Sequence, residues 1–251
     1  MAAMAHAPGS FCWTDLAAPD VDAARDFYAQ LFGWSSEPAG DPEQTGGYTF
    51  FKLDDEHVAA YGPPGPGEPP SWRAYVAVES ADETAARVRD AGGELLLGPM
   101  DIFGTGHMVV FRDPSGAVCC AWQPGTFAGA DLIREPGGLG WVEHATRDVE
   151  GAKRFYGEVF GWSVQDVAGG YAIWMLDETE VGGLTTMEHH PPEVPPHWVV
   201  NFAVEDVDAT ASRATDVRVP PTTVEVPGRG ELRFAMLADP NGAVFGIFAG
   251  W

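Results

Sequence analysis

The sequence predicts an α+β fold in two tandem domains, each made of two strand–helix–three-strand units. Two repeats and a shared order of elements carry this reading. Residues 13–34 (WTDLAAPDVDAARDFYAQLFGW) recur at 141–162 (WVEHATRDVEGAKRFYGEVFGW), an offset of 128, with ten of 22 aligned positions identical. Residues 72–79 (WRAYVAVE) are answered by 198–205 (WVVNFAVE), and 113–118 (DPSGAV) by 239–244 (DPNGAV). A repeat of this period is too long for a solenoid and fits tandem domains. The expected domains are residues 11–125 and 139–251, with residues 125–138 joining them.

The first unit opens with a strand over residues 10–16, in which alternation puts Trp13 and Asp15 on one face. A helix follows, with Asp20 as N-cap and Ala24, Phe27, Tyr28 and Leu31 as its apolar stripe. Gly33 is the expected left-handed cap. Strands are expected at 47–53 and 57–61, and the run 62–70 (GPPGPGEPP) is a linker. The second unit has a strand at 72–78, a helix near 82–91 closed by Gly92 and Gly93, and strands near 94–97, 107–112 and 117–123. Asp113 to Gly116 form the turn between the last two strands. The second domain repeats the plan, with units at 139–188 and 197–251 separated by 189–196 (HHPPEVPP).

Composition narrows the function. The chain has 251 residues, enough to bury two cores. A net charge of −23 argues against nucleic acid and anionic membranes as partners. No apolar run reaches the roughly 20 residues needed to span a bilayer. The start, MAAMAHAPGS, has neither the basic nor the apolar stretch of a secretory signal, so a cytoplasmic location is expected. Cys12, Cys119 and Cys120 make no disulfide framework, which fits a reducing compartment. Abundant Ala, Gly, Pro, Asp and Arg with scarce Lys fit a bacterial source.

No GxSxG elbow, HExxH, P-loop or Rossmann fingerprint is present. Asp113 and Asp239 read as turn residues. Cys119 and Cys120 share a strand, one sulfur to each face, and read as small hydrophobes.

Four such units, an FYxxxFGW helix end and a DPxGA turn near each domain's end resemble the vicinal oxygen chelate superfamily, the fold of glyoxalases, bleomycin-resistance proteins and extradiol dioxygenases. Within it, the chain is similar to a two-domain subgroup labelled as hydroxylases or glyoxalase-like proteins. The resemblance covers residues 11–251. It implies two tandem glyoxalase-like domains, each a curved, partly open antiparallel sheet around a cavity with helices outside. It also implies a divalent metal held by His, Gln or Glu on inner strand faces. The matching positions here hold Trp13, Trp141, Arg73, Val199, Cys120 and Gly246, and only Cys120 could ligate, as a thiolate. No cofactor is therefore expected, a divalent metal being the alternative. Internal duplication supplies the pairing that single-domain relatives reach by dimerising, so a monomer is expected.

The candidate chemistry lies on the strands. Asp15 and Glu143 occupy matching places, each two residues after its Trp. Glu143 and His144 are adjacent and point to opposite faces. His107 and Arg233 match on the strand before each DPxGA turn, although Arg233 stays protonated and cannot act as a base. Asp15, Glu143, His144 and His107 are the candidate acids and bases. Trp13, Trp141, Tyr48, Phe50, Tyr171 and Trp174, with Arg233 and Cys120, are the candidate ligand contacts, since aromatic walls suit flat apolar ligands. Phe27, Tyr28, Phe155 and Tyr156 on the helices read as core. His57 heads a strand and reads as a surface or half-buried histidine, and His189, His190 and His197 as solvated.

The first functional reading is a protein that binds an aromatic or apolar metabolite or antibiotic without the usual metal. The alternative is a metal-independent hydroxylase, isomerase or cyclase of secondary metabolism. The second alternative is a metal-dependent lyase or dioxygenase.

Overall fold

A computed structural model describes residues 6–226 and 230–250. The chain start, on which the expectation of no secretory signal rests, and part of the second domain's last unit therefore lie outside the described residues. The first unit comprises β1 (Phe11–Ala17), α1 (Val21–Phe32), β2 (Ser35–Pro38), a short α2 (Pro42–Thr45), β3 (Thr49–Leu53) and β4 (Glu56–Gly62). The second comprises β5 (Ser71–Ala77), α3 (Ala81–Asp90), β6 (Glu94–Asp101), β7 (Gly106–Arg112) and β8 (Val118–Pro124). The third comprises β9 (Leu139–Thr146), α4 (Val149–Phe160), β10 (Ser163–Ala168), β11 (Tyr171–Leu176) and β12 (Thr179–Thr186). The fourth comprises β13 (His197–Ala203), α5 (Val207–Ala211), β14 (Asp216–Val226), β15 (Gly230–Ala238) and β16 (Val244–Ala249).

The helix ends follow from side-chain chemistry. The Asp20 carboxylate accepts from Ala23 N at 3.0 Å, and Gly33 closes α1 at φ 77°. Asp148 and Gly161 repeat both devices on α4. The exposed β2 and the four-residue α2 carry no apolar alternation, so the sequence did not announce them.

Two eight-stranded curved sheets result, ordered β2-β3-β4-β1-β5-β8-β7-β6 and β10-β11-β12-β9-β13-β16-β15-β14. They are mixed rather than purely antiparallel. Each unit's first strand returns through the helix and hairpin to lie parallel to the last, as in β1 with β4 and β5 with β8. Contacts group the chain into two compact units. One combines the chain up to Cys12, Ala74–Gly129 and Val142–Val199; the other combines Trp13–Arg73, Ala130–Trp141 and the chain from Val200 on.

Each unit is centred on aromatic side chains from the repeated motifs. In one, Tyr156 packs with Phe160, Trp162, Trp174 and Trp198; in the other, Tyr28 packs with Phe32, Trp34, Phe51 and Trp72. The hydroxyls of both tyrosines sit in polar chains. Trp198 Nε1 donates to Tyr156 Oη at 3.0 Å, which donates to Asp113 Oδ2 at 3.0 Å. Trp72 Nε1 donates to Tyr28 Oη at 2.9 Å, which donates to Asp239 Oδ2 at 3.4 Å. The other carboxylate oxygen organises the DPxGA turn: Asp113 Oδ1 accepts from Ser115 N, Gly116 N and Ala117 N.

The surroundings of the two hydrogen-bond chains are not identical. His144, which is fully buried, stands where the first copy has Leu16. It stacks on Trp198 at 4.6 Å, and its Nε2 lies 3.3 Å from Asp113 Oδ2, at ion-pair distance but out of line for a hydrogen bond. Burial alone would raise the Asp113 pKa, but the nearby His144 ring and the bonds from Ser115 and Ala117 outweigh it and hold that pKa low. Burial wins at Asp239, whose pKa is raised despite bonds from Ala243, Asn241 and Gly242.

A carboxylate with a depressed folded pKa stabilises the fold above its unfolded pKa, and that contribution is lost as pH falls through the folded pKa. His144→Leu is therefore expected to lower stability near neutral pH by on the order of 3 kcal/mol, the scale for stripping a partner from a buried charge. The deficit should shrink below about pH 4, where carboxylates protonate. Urea unfolding of both proteins across pH checks this; a deficit independent of pH would assign the loss to packing alone.

Candidate functional site

One face of the unit containing Trp13–Arg73 gathers the first set of candidates. Register places Asp15 and Phe50 each opposite Ala60, so the carboxylate and the ring share a row. Trp13 Nε1 donates to Tyr48 Oη at 3.0 Å, and Tyr48 Oη donates to Asp15 Oδ2 at 3.0 Å. Arg73 Nε donates to Asp15 Oδ1 at 2.6 Å, and Arg73 Nη1 lies 3.4 Å from Glu68 Oε1. The Asp15 side chain is only 3% exposed, and the guanidinium is its ion-pair partner. Burial and the Asp15 charge push the Tyr48 pKa well up, which keeps this phenol a neutral donor. Phe50 stands edge-on to Trp13, Tyr48 and His57.

The other unit holds the matching carboxylate. Glu143 and Ile173 each pair with Gly183, so Ile173 takes the place of Phe50 and Tyr171 that of Tyr48. The carboxylate–tyrosine pair is kept, since Tyr171 hydrogen-bonds Glu143. The position of Arg73 is held by Val199. Glu143 is half-buried, with protein crowding its carboxyl. Burial raises its pKa to about 7, against the lowering effect of the Tyr171 bond.

The remaining candidates fall elsewhere. Trp174 is fully buried, 5.5 Å from Trp162 and 5.6 Å from Tyr156, and is core rather than ligand-facing. Its odd spacing from Tyr171 turns it to the helix side of the strand. His144 lies in the same core, out of reach of a ligand. Cys120 is fully enclosed between its neighbours Tyr75 and Val110, so it packs rather than binds. Arg233 is tied at the surface to Asp208 and Thr223. His107 is exposed on β7 opposite Gln123. Trp141 is buried, with the Arg134 guanidinium 5.1 Å from its ring.

Sequence reasoning set aside His57 and missed Asp131, which comes from the segment joining the repeats. His57 Nδ1 lies 3.1 Å from Asp131 Oδ2. The signal for Arg73 was present, since it replaces a metal-ligand position with a fixed cation. Among the described residues, no three His, Cys, Asp or Glu side chains are grouped to hold an ion. No helix there is long and apolar enough to cross a membrane.

The family model described as the Glyoxalase/Bleomycin resistance protein/Dioxygenase superfamily matches residues 10–120 and 138–247. Anthracycline biosynthesis protein DauV of Streptomyces sp. (strain C5) is 40% identical over 261 residues, covering 96% of this chain and 93% of DauV. Anthracycline biosynthesis protein DnrV of Streptomyces peucetius is also 40% identical, with the same coverage of 96% and 93%. The Mn(II)-bound glyoxalase from Novosphingobium aromaticivorans superposes with a TM-score of 0.68 at 19% identity, covering 96% of this chain and 82% of that one. At that identity the likeness concerns the fold.

Glu143 should reveal itself by titration. A carboxyl whose folded pKa is raised stabilises the fold below its unfolded pKa, and the contribution fades as pH climbs from 4.5 to about 7. The expected signature is a protonated-carboxyl infrared band that disappears near pH 7 and is missing from Glu143→Gln. A band that has vanished by pH 5 would place Glu143 among ordinary surface carboxylates.

Proposed function

The chain belongs to the glyoxalase/bleomycin resistance protein/dioxygenase superfamily, and on that premise we propose that it binds a flat, largely apolar aromatic metabolite without a metal. The carboxylate–tyrosine pair carries this reading. It recurs in both copies, in the first beside Trp13 and Phe50, while of the six metal-ligand positions only that of Cys120 holds a residue able to ligate. Ring edges and faces of such residues suit a fused-ring ligand. The Arg73 guanidinium supplies donors for its carbonyl or hydroxyl oxygens, and Tyr48, whose proton goes to Asp15, ties Asp15 to Trp13 beside it. The names of DauV and DnrV, both anthracycline biosynthesis proteins, point to the same ligand class.

A second reading is a metal-independent enzyme of secondary metabolism, favoured by Glu143. A carboxyl with a pKa of about 7 is half ionised near neutrality, the condition that suits a general acid or base. In this reading Glu143 exchanges a proton with the ligand, and Tyr171 orients the carboxyl.

The expected result is quenching of tryptophan fluorescence by an anthracyclinone, with a Kd on the order of 1 μM. Chelators should leave that affinity unchanged, and Tyr48→Phe should weaken it about fivefold, the loss of one hydrogen bond. Absence of quenching at millimolar ligand would sink the binding reading. Incubation followed by mass spectrometry tests the second: a product that forms faster as pH rises through about 7, and fails to form with Glu143→Gln, would establish it.

A further inference from the structure

The face that carries Asp15 and Tyr48 holds another titratable pair, His57 and Asp131. His57 is the second residue of β4, and Asp131 grips it from two sides. His57 N donates to Asp131 Oδ2 at 2.8 Å, His57 Nδ1 lies 3.1 Å from the same oxygen, and Asp131 N donates to His57 O at 2.8 Å. A carboxylate that accepts the Nδ1 proton fixes the tautomer of a neutral imidazole and puts its lone pair on Nε2. The His57 side chain is 29% exposed. Phe50 meets the imidazole edge-on at 4.7 Å and reaches Trp13 at 6.0 Å and Tyr48 at 5.9 Å, so the histidine belongs to the same aromatic face. Lys52 pairs with His57 across the hairpin, is bonded to Glu37 at 2.9 Å, and feels Asp55 and Asp131.

We infer that His57, oriented by Asp131, accepts the proton of a phenolic hydroxyl on the bound aromatic, which narrows the ligand class to hydroxylated fused-ring compounds. The inference rests on the aromatic-binding reading above. The phenolic O–H bond breaks, its proton passes to Nε2, and both electrons of the bond stay on oxygen as phenolate. The imidazolium so formed is stabilised by Asp131, and no oxidant or co-reactant is needed. Asp131 acts through His57 and is a positioning residue.

Quinizarin, a dihydroxyanthraquinone that changes colour when a phenol ionises, tests this on the full chain, with unsubstituted anthraquinone as the control. Fluorescence quenching reports binding, and visible absorption reports ionisation. Bound quinizarin should ionise at least about one pH unit below the free dye, a tenfold shift in its proton equilibrium. His57→Gln should still quench but lose the shift, and Asp131→Asn should reduce it. Circular dichroism of both variants confirms that they are folded. Quenching by both compounds with no shift in the native protein, or a shift that survives in His57→Gln, overturns the inference and leaves the binding reading standing. No quenching by either compound overturns both.

Discussion

The structure depends on one hydrogen-bond chain made twice, from tryptophan indole to tyrosine hydroxyl to aspartate. A buried phenol both accepts and donates, so it can join two groups that would otherwise be left without partners. Tyr156 links Trp198 to Asp113, and Tyr28 links Trp72 to Asp239. These residues are the anchors of the three repeated sequence motifs: the FYxxxFGW helix end, the Trp that opens the second unit, and the DPxGA turn. In both chains the tyrosine belongs to one repeat and the aspartate to the other. The helix aromatics of each repeat are therefore completed by a turn from its partner. This is why the compact units cut across the sequence domains, combining pieces of both copies.

Divergence between the copies is electrostatic and local. At the chain just described, Leu16 in one copy is His144 in the other, and the matching aspartates shift in opposite directions. On the opposite face of the same strands, Arg73 becomes Val199 and Phe50 becomes Ile173. One carboxylate is held by a guanidinium at 2.6 Å, whereas burial raises the other's pKa to about 7. The backbone plan survives these changes because they fall on strand side chains and leave the helix caps and the DPxGA turns intact. Duplication thus keeps a frame fixed while the surroundings of the matching carboxyls diverge, a guanidinium beside Asp15 and burial that raises the pKa at Glu143.

What could be read from sequence was set by locality. Asp20, Gly33 and the Asp113 turn act within a few residues, and the helical stripe of Ala24, Phe27, Tyr28 and Leu31 was visible as a period; all are buried as expected. The edge strand β2 lacks alternation and carries no such signal. Trp174 lies three residues on from Tyr171, so on the strand its side chain faces the other way, into the core rather than toward the candidate ligand. Asp131 was out of reach for a different reason. It lies 74 residues from His57, and nothing local marks a linker aspartate as the partner of a strand histidine.

In the metal-free reading proposed above, the two copies would part from a metal-binding arrangement by different physical routes. In the first, a guanidinium stands at a ligand position and is paired with Asp15. A divalent ion within about 4 Å of it would meet roughly 8 kcal/mol of repulsion at an effective dielectric of ~20. Such an ion would also have to take the Asp15 carboxylate from a cation already in contact with it. In the second, no such repulsion arises, because Val199 is neutral. There the obstacle is donor number: Glu143 is one carboxyl among apolar neighbours, and its raised pKa shows that its surroundings favour a proton over a negative charge. A proton is the smallest cation that can neutralise a lone buried carboxylate, and an arginine is the largest the chain itself can supply. In the first copy Tyr48, whose pKa is pushed well up, is left as a neutral donor to Asp15 beside the aromatic face proposed to hold the ligand.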